Sequence, residues 1–300
     1  MKKSKSITFT IVFEAESLNF GEGFGNVSTL KKLTRKNGDI LTFLSRQAIR
    51  YDLVRLGHEW FGWNLQTVSK EKGTVQFRDE ITIADSPEVD FFGYFKTKKS
   101  EASNTREAVV RISKAISLEP YRSDMDFMTN TGLAQRIGEH PNPVNVEQHQ
   151  SMYAYTVTID IDKIGCDKDI VLSNEERFER IKQLLSLFPV LQRNIRGRQE
   201  SMLPLFVIGG VYPIANPFFD GRIRLEYSGK GTEIKIDTLE DTINIETPFS
   251  KVKDGTSIGF VRGIFANEAD FTSVLPEGRV GTVQEMFNRM IQEVKEYLEV

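Results

Sequence analysis

Glycines and cations are gathered in one short segment near the start of the chain. Residues 21–26 read Gly-Glu-Gly-Phe-Gly-Asn, and four cations follow shortly afterwards: Lys31, Lys32, Arg35 and Lys36. Glycine lets the backbone approach a ligand closely, and clustered like charges repel one another unless an anion or solvent relieves them. Together with Asn26, the segment predicts a site for a phosphate chain, although a solvated basic loop would have the same composition.

The spacing of the glycines excludes two common nucleotide-binding loops. Gly21, Gly23 and Gly25 are too close together for the dinucleotide fingerprint, and Lys31 is too distant to complete a Walker motif. No nucleotide cofactor is therefore expected.

A second set of polar groups begins the next predicted helix. Ser45 has the side chain and the position of an N-cap, and apolar residues recur after it at helical spacing: Ile49, Leu53 and Leu56. Arg46, Gln47 and Arg50 flank that apolar stripe. Because a helix that packs through one face can present cations from another, we expect these groups to join the basic loop in one anion-binding surface.

A third basic segment lies in the second half of the chain. Residues 192–201 place four polar side chains around Gly197: Arg193, Arg196, Arg198 and Gln199. Guanidinium groups suit contacts to a nucleic-acid backbone, but arginine also serves solubility in an exposed loop. The sequence leaves both interpretations open.

The acidic residues around Gly165 raise the possibility of metal-dependent phosphoryl transfer, because Asp160 and Asp162 lie two apart at the end of a predicted strand. The segment fails as an EF-hand, since Ile164 and Val171 occupy the fifth and twelfth positions counted from Asp160. Aspartates at a strand end commonly face water, and Asp167 and Asp169 fit that interpretation. We therefore predict no metal site, and a nuclease that uses Asp160 and Asp162 is the alternative.

Composition limits the class of protein. The 300 residues carry 39 Lys+Arg against 42 Asp+Glu, so the net charge is −3 and any anion site must be local. Cys166 is the single cysteine, which fits a reducing cytoplasm, and His58, His140 and His149 lack metal-ligand spacing. The basic N-terminus leads into a strand pattern and no segment is typical of a membrane span, so we expect a cytoplasmic protein.

The elements that must position these groups alternate between strands and helices. Hydrophobic periodicity predicts one domain over 1–300 with an α+β fold of the ferredoxin-like or RNA-recognition type. Two helices are predicted after the first, one capped by Ser173 that stops before Pro189 and one over 283–298. Residues 119–150 are expected to be an irregular insertion, and 96–105 a polar loop. The predicted strands cover 6–14, 74–83, 109–118, 152–161, 203–211, 222–227, 232–237, 242–246 and 257–265.

Several of these segments also resemble a known family. The first strand, Gly25-Asn26, Lys31–Arg35, residues 43–50, Asp90-Phe91-Phe92-Gly93, residues 106–118 and residues 196–204 are similar to those of a CRISPR-associated subunit. That family is the guide-RNA-binding backbone subunit of type I Cascade-like effector complexes, in its DevR-like, type I-B branch.

The resemblance implies a non-catalytic role in antiviral defence. It implies a modified RRM-type palm, a finger-like insertion at about 60–150 and a β-hairpin thumb at about 190–203. Copies would stack along a guide RNA with other Cascade subunits and hold its backbone without sequence specificity, so that the bases stay free to pair with target DNA. Palm contacts would come from Lys31, Lys32, Ser45, Arg46, Gln47 and Arg50, and thumb contacts from Arg196, Arg198 and Gln199. Relatives that cut RNA carry an aspartate in the early loop; Lys31–Lys36 has none, although Asp39 is near.

Overall fold

The fold is built around one long strand. In a computed structural model that describes residues 4–71, 73–96 and 104–300, Ser6–Glu16 forms the first strand, β1. Ile7, Phe9, Ile11 and Phe13 alternate with Thr8, Thr10 and Val12, and both sets are buried. The strand lies between two antiparallel neighbours, which are Gln150–Asp160 and Phe206–Tyr212. A strand that is central in a sheet and covered on both faces needs this β-branched and aromatic composition.

Nine strands make up the central sheet. Their order is β9-β8-β7-β1-β6-β5-β3-β2, with β4 also paired to β6, and all pairs are antiparallel except β8 with β9. In chain order they are β1 (Ser6–Glu16), β2 (Lys32–Thr34), β3 (Ile40–Leu44), β4 (Val110–Ile112), β5 (Ala115–Ser117), β6 (Gln150–Asp160), β7 (Phe206–Tyr212), β8 (Thr256–Phe260) and β9 (Val280–Gly281).

Three long helices cover one face of this sheet. The rings of Phe188 and Phe287 pack edge-on against Phe9, with centroids 5.1 and 5.5 Å away. The α-helices of the described residues are α1 (Arg46–Phe61), α2 (Pro87–Phe92), α3 (Thr131–Ala134), α4 (Asn174–Leu187), α5 (Asp237–Ile243), α6 (Val252–Gly255), α7 (Glu268–Val274) and α8 (Val283–Leu298). Short 3-10 helices occupy Gln135–Ile137, Ile161–Lys163 and Phe188–Val190.

A second apolar cluster lies on the opposite face, on the β7 and β8 side. There Phe206 contacts the rings of Phe265 and Phe271, with centroids 6.1 and 5.2 Å away. The segment that follows β7 folds back over the sheet and supplies this cover. Within the described ranges, no helix is long and apolar enough to cross a membrane.

Small hairpins project from the sheet. The hairpin of Asp124–Thr129 and Pro143–Gln148 gains a third, parallel strand from Val27–Ser28. The other pairs are Val68–Glu71 with Thr74–Phe77, Tyr94–Lys96 with Asn104–Arg106, Cys166–Asp167 with Ile170–Val171, Gln192–Ile195 with Arg198–Ser201, and Leu225–Ser228 with Gly231–Ile234.

The α+β prediction is confirmed, as are the first strand, the three long helices and the buried strand within 203–211. Four predictions differ in detail. The strand at 74–83 ends at Phe77, the run 109–118 is two short strands, 257–265 is a strand only over Thr256–Phe260, and the insertion at 119–150 forms a regular hairpin. Most of the predicted loop at 96–105 lies outside the described residues.

One predicted strand is wrong in type. Residues 222–227 and 232–237 form a hairpin as expected, whereas 242–246 follows and overlaps helix α5. The alternation of Thr242, Ile243 and Asn244 suggested a strand. Leu239 and Ile243, four residues apart, are both buried, and that helical spacing decides the structure.

Candidate nucleic-acid interface

The N-terminus of α1 carries polar side chains that make few contacts with the rest of the described structure. The Ser45 hydroxyl accepts hydrogen bonds from the Ala48 backbone N–H and the Asn19 side-chain amide, both at 3.3 Å, so the predicted N-cap is confirmed. Arg46 and Gln47 follow it, are exposed, and form no side-chain hydrogen bond with the described residues. The first turn holds no acidic residue. A helix N-terminus with free N–H groups and an adjacent guanidinium suits an anion.

A groove of about 420 Å³ runs beside this helix end. Arg50 binds Glu88 at 2.9 Å and lies 4.8 Å above the ring of Phe92, while Arg111 from β4 binds Asp160 at 2.8 Å. These carboxylates hold two guanidiniums in place at the groove wall. No local motif marks Arg111 in the sequence, because its position beside α1 depends on the pairing of β4 with β6 in the central sheet. The polar lining is Arg46, Gln47, Arg50 and Arg111.

The segment predicted as a basic loop is a β-hairpin at the edge of the sheet, formed by β2 and β3. Lys32 donates to the buried Glu147 carboxylate at 2.6 and 2.8 Å and lies 4.8 Å above the ring of Tyr121. Glu147 also accepts the Leu30 backbone N–H at 2.7 Å. Lys32 therefore joins this hairpin to the one at 124–148. Lys31, by contrast, has no ion-pair partner among the described residues.

Arg35 and Lys36 lie at the exposed tip of the same hairpin. Arg35 lines a different cavity, of about 340 Å³, together with Lys114 and Arg224. Thr10 and Thr156 also line it, and their side chains face away from helices α1, α4 and α8. The structure therefore separates Arg35 from the α1 groove, although the two are close in sequence.

The arginines of residues 192–201 lie on a hairpin, and two of them form ion pairs with carboxylates elsewhere in the chain. Arg193 donates to the buried Asp52 carboxylate at 2.7 Å and to the Leu18 carbonyl at 3.0 Å. Arg198 binds Glu16 through its carboxylate at 2.9 Å and its carbonyl at 2.6 Å. Burial raises the pKa of Asp52, and the Arg193 hydrogen bond partly offsets that shift. These contacts fasten the hairpin to α1 and β1.

At the turn of this hairpin, the arginine stays exposed and pairs with no carboxylate among the described residues. Arg196 and Gly197 both have positive φ, which is typical of a two-residue hairpin turn. The Arg196 guanidinium lies 3.9 Å from the ring centroid of Phe20 and donates to the Ser28 hydroxyl at 2.8 Å, yet the residue remains exposed. Gln199 is exposed and donates to Asn194 at 3.3 Å.

The glycine-rich segment uses several of its backbone N–H groups in internal hydrogen bonds, unlike a loop that cradles a phosphate. Gly21 donates its backbone N–H to Thr29, and Phe24 and Val27 exchange backbone hydrogen bonds around a turn that contains Asn26. Those three N–H groups are consequently unavailable to a ligand. The segment lies between α1, through Asn19 and Ser45, and the hairpin of Arg196, through Phe20 and Ser28. It thus connects two of the predicted cationic sets.

Asp160 and Asp162, the acidic pair of the nuclease alternative, bind cations and hydroxyl groups of the protein. Asp160 binds Arg111 at 2.8 Å and Lys163 at 3.4 Å, and Asp162 accepts the hydroxyls of Ser4 and Tyr297, both at 2.6 Å. Across the described ranges, no group of three or more His, Cys, Asp or Glu side chains could hold a metal ion.

A buried charge cluster is formed by residues that no local sequence motif connects. Asp90 binds Arg106 at 2.6 Å and Arg180 at 3.0 Å and accepts the Gly165 N–H. Burial raises the pKa of Asp90, and these donors offset part of the shift. The three charged residues are far apart in sequence, so only the fold reveals that the cluster joins α2, α4 and the loop after β6.

Comparisons with known proteins agree on one family. A family model described as CRISPR-associated negative auto-regulator DevR/Csa2 matches residues 7–228. A curated CRISPR-associated protein Cas7/Cst2/DevR of Myxococcus xanthus (strain DK1622) is 29% identical over 159 residues, covering 47% of this chain and 52% of the relative. The chain thus spans about half the length of the curated relative that it matches.

Two solved structures have a similar fold. A chain of a CRISPR RNA-guided surveillance complex in a pre-nicking state has a TM-score of 0.61, with 12% identity over 96% of this chain and 100% of that chain. A chain of a second CRISPR RNA-guided surveillance complex has a TM-score of 0.56, with 12% identity over 96% of this chain and 99% of that chain. These likenesses support the α+β fold.

Proposed function

This chain belongs to the CRISPR-associated DevR/Csa2 family, and on that premise we propose that it is a Cascade subunit that binds the backbone of a guide RNA. Several copies would stack along one RNA, together with other subunits of a type I-B complex. Contacts to phosphates position a nucleic acid without reading its sequence. The bases of the guide would therefore remain free to pair with target DNA.

The observation that carries this proposal is the start of α1. Arg46 and Gln47 are exposed, lack partners among the described residues, and adjoin a helix N-terminus in a groove whose wall includes Arg50 and Arg111. The last two keep their guanidiniums oriented through Glu88 and Asp160. Such preorganised cations suit a polyanion, and their local placement is compatible with a net charge of −3.

We assign the parts of the fold accordingly. The central sheet with α1, α4 and α8 would be a modified RRM-type palm, and the hairpin within about 190–203 the thumb. A finger-like insertion would come from about 60–150, except that β4 and β5 within this range belong to the central sheet. The whole chain would act as one domain.

We propose that the subunit is non-catalytic. The side chains of Asp160 and Asp162 are directed to cations and hydroxyls of the protein, which supports a structural use of both. Incubation of the purified protein with labelled RNA and Mg²⁺ or Mn²⁺ tests this assignment. Cleavage that disappears in Asp160→Ala would favour the nuclease alternative.

Binding measurements test the main proposal. Unrelated RNAs of equal length should bind with similar affinity, and affinity should fall about tenfold or more over a few-fold rise in salt. Arg46→Glu should weaken binding about tenfold or more, since it replaces a phosphate contact with a repulsion.

Arg262→Glu is the matched control, because Arg262 is also exposed and the charge change is identical. It should bind RNA nearly as well as the wild-type protein. Equal loss in both variants would indicate a general charge effect, and affinity that follows base sequence or ignores salt would contradict the proposal.

A further inference from the structure

The most exposed large apolar side chain of the described residues belongs to the glycine-rich segment. The Phe24 side chain is 87% exposed, although phenylalanine is ordinarily among the most buried residue types. Gly23 and Gly25 flank it, and no atom lies within 4 Å of the position that a Cβ would take on Gly25. With 87% of its side chain exposed, the Phe24 ring is accessible to a flat ligand.

A second exposed phenylalanine shares the same sheet face. Phe24 pairs with Val27, Val27 with Asn145, and Asn145 with Phe127, so these four residues form one row across adjacent strands. Directly paired residues project to the same side of a sheet. The side chain of Phe127 is 65% exposed. With strands about 4.8 Å apart, the two phenylalanines lie roughly 14 Å from one another.

Hydrogen bonds fix the position of the turn that carries Phe24. The Asn145 backbone N–H donates to the Asn26 carbonyl at 2.9 Å, and the Thr29 hydroxyl donates to the Glu22 carbonyl at 2.9 Å. Arg196 binds Ser28, next to Val27 in the same strand. A ring on a braced turn loses little conformational entropy when a ligand stacks on it.

We propose that the Phe24 and Phe127 side chains stack against bases of the single-stranded RNA, and this inference rests on the function proposed above. Sites for single strands combine cations that follow the backbone with aromatic rings that receive bases. Asn26 and Arg196 adjoin the Phe24 turn, which places the ring beside proposed backbone contacts. Val27 and the polar Asn145 separate the two rings, so the face suits separate bases better than one continuous apolar partner. Stacking also leaves the pairing edge of a base free.

Abasic RNA separates stacking from phosphate binding. The probes are an oligouridine, which has no structure of its own, and the same oligomer with abasic sugars. Wild-type protein should bind oligouridine roughly tenfold more tightly than the abasic form, since each stacked base contributes substantially to affinity. Phe24→Ala and Phe127→Ala should reduce that preference, each with an unchanged salt dependence, and Phe24→Trp should retain it.

Phe95→Ala is the matched control, because its side chain is 61% exposed on a different hairpin. It should behave as wild type. If all variants keep the wild-type preference for oligouridine, the stacking proposal is wrong while backbone binding stands. Variants that instead lose self-association in sedimentation, with RNA affinity intact, would show that the face is an interface between copies and overturn it. Wild-type protein that binds neither probe would refute the proposed function and this inference together.

Discussion

The start of α1 and the hairpin of residues 192–201 hold similar sets of arginine and glutamine, but the fold uses them differently. At α1, Arg46 and Gln47 are exposed without partners among the described residues. On the hairpin, Arg193 and Arg198 bind Asp52 and Glu16, which the sequence places far away. Only the turn keeps an exposed guanidinium, at Arg196.

The difference shows what decides the role of a cation in this protein. Each region carries several arginines within a few residues, whereas the carboxylates opposite them differ. α1 has no acidic residue in its first turn, while the hairpin packs against Asp52 on α1 and Glu16 on β1. The availability of a cation for a ligand thus depends on residues distant in sequence.

Substitutions on the hairpin should produce the largest effect. Arg193→Met should lower the free energy of unfolding by about 3 kcal/mol, because among the described residues it leaves the buried Asp52 with only Arg55, 3.9 Å away. Arg196→Met should lower it by less than about 1 kcal/mol, as expected for an exposed cation–π contact, and should weaken RNA binding instead. Chemical denaturation and RNA titration of the two variants measure the contrast.

The pH dependence provides a control for Arg193→Met. Burial raises the pKa of Asp52, and loss of the Arg193 hydrogen bond should raise it further. A raised folded-state pKa gives stability that is present at acid pH and lost as pH rises through that pKa. The deficit of the variant should therefore shrink as the pH falls through the raised pKa, and it should be smallest below pH 3.8, the unperturbed value. A deficit of equal size at all pH values would indicate lost packing instead of lost charge pairing.

Lys31 and Lys32 show the same contrast between a cation without an ion-pair partner among the described residues and one paired with a buried carboxylate, with smaller expected effects. Lys32→Met should lower the free energy of unfolding by about 2 kcal/mol, because the Glu147 carboxylate would stay buried with the Leu30 N–H as its remaining described donor. Lys31→Met should leave stability within about 0.5 kcal/mol of wild type, as for most surface substitutions, and reduce RNA affinity.

The pair Lys32→Met and Glu147→Gln tests the assignment further. The double variant should be more stable than the sum of the two single losses predicts, because residues in one ion pair are coupled. Additive losses would show that Lys32 and Glu147 do not depend on one another.

The sequence predicted the framework well because its signals are local. Ile7 to Phe13 alternate within one strand, and Ser45 and Ser173 cap helices a few residues away. In strand Asp124–Thr129, Met125 and Phe127 alternate with Asp124 and Asp126, but this run is short and every residue of the strand is exposed, so it forms no buried face that would mark a strand. Its order depends on pairing with Pro143–Gln148.

The sequence predicted cations for the candidate site, but not which of them are free to contact a ligand. The predicted cations do not share one role, because Lys32, Arg193 and Arg198 bind carboxylates of the protein and Arg35 lies apart from the α1 groove. Arg111, conversely, lines the groove without being part of a basic motif. One sequence cannot show which distant strand or carboxylate will be adjacent, and that adjacency decides which cations face a ligand.

His149 becomes a cation when it is protonated at acid pH. It therefore tests whether the fold tolerates a positive charge at a buried position. His149 is buried at the base of the 124–148 hairpin, with its Nδ1 atom 2.7 Å from the Thr42 hydroxyl. Its backbone exchanges hydrogen bonds with Ser17, at 3.1 Å to the Ser17 N–H and 3.0 Å to the Ser17 hydroxyl. The surrounding charged and titratable groups are Glu119, Tyr121, Arg122, Asp124, Tyr153 and Tyr227.

Burial lowers the pKa of His149, and Glu119 and Asp124 offset only part of that shift. A lowered folded-state pKa gives stability that is present above the unfolded value of 6.5 and lost as pH falls. The free energy of unfolding should therefore decrease below pH 6.5, and His149→Gln should remove part of this decrease. His140→Gln, at an exposed position, should retain it. Denaturation curves over this pH range that coincide in slope for wild type and His149→Gln would show that the fold tolerates an imidazolium there, so burial alone would not decide which cations it accepts.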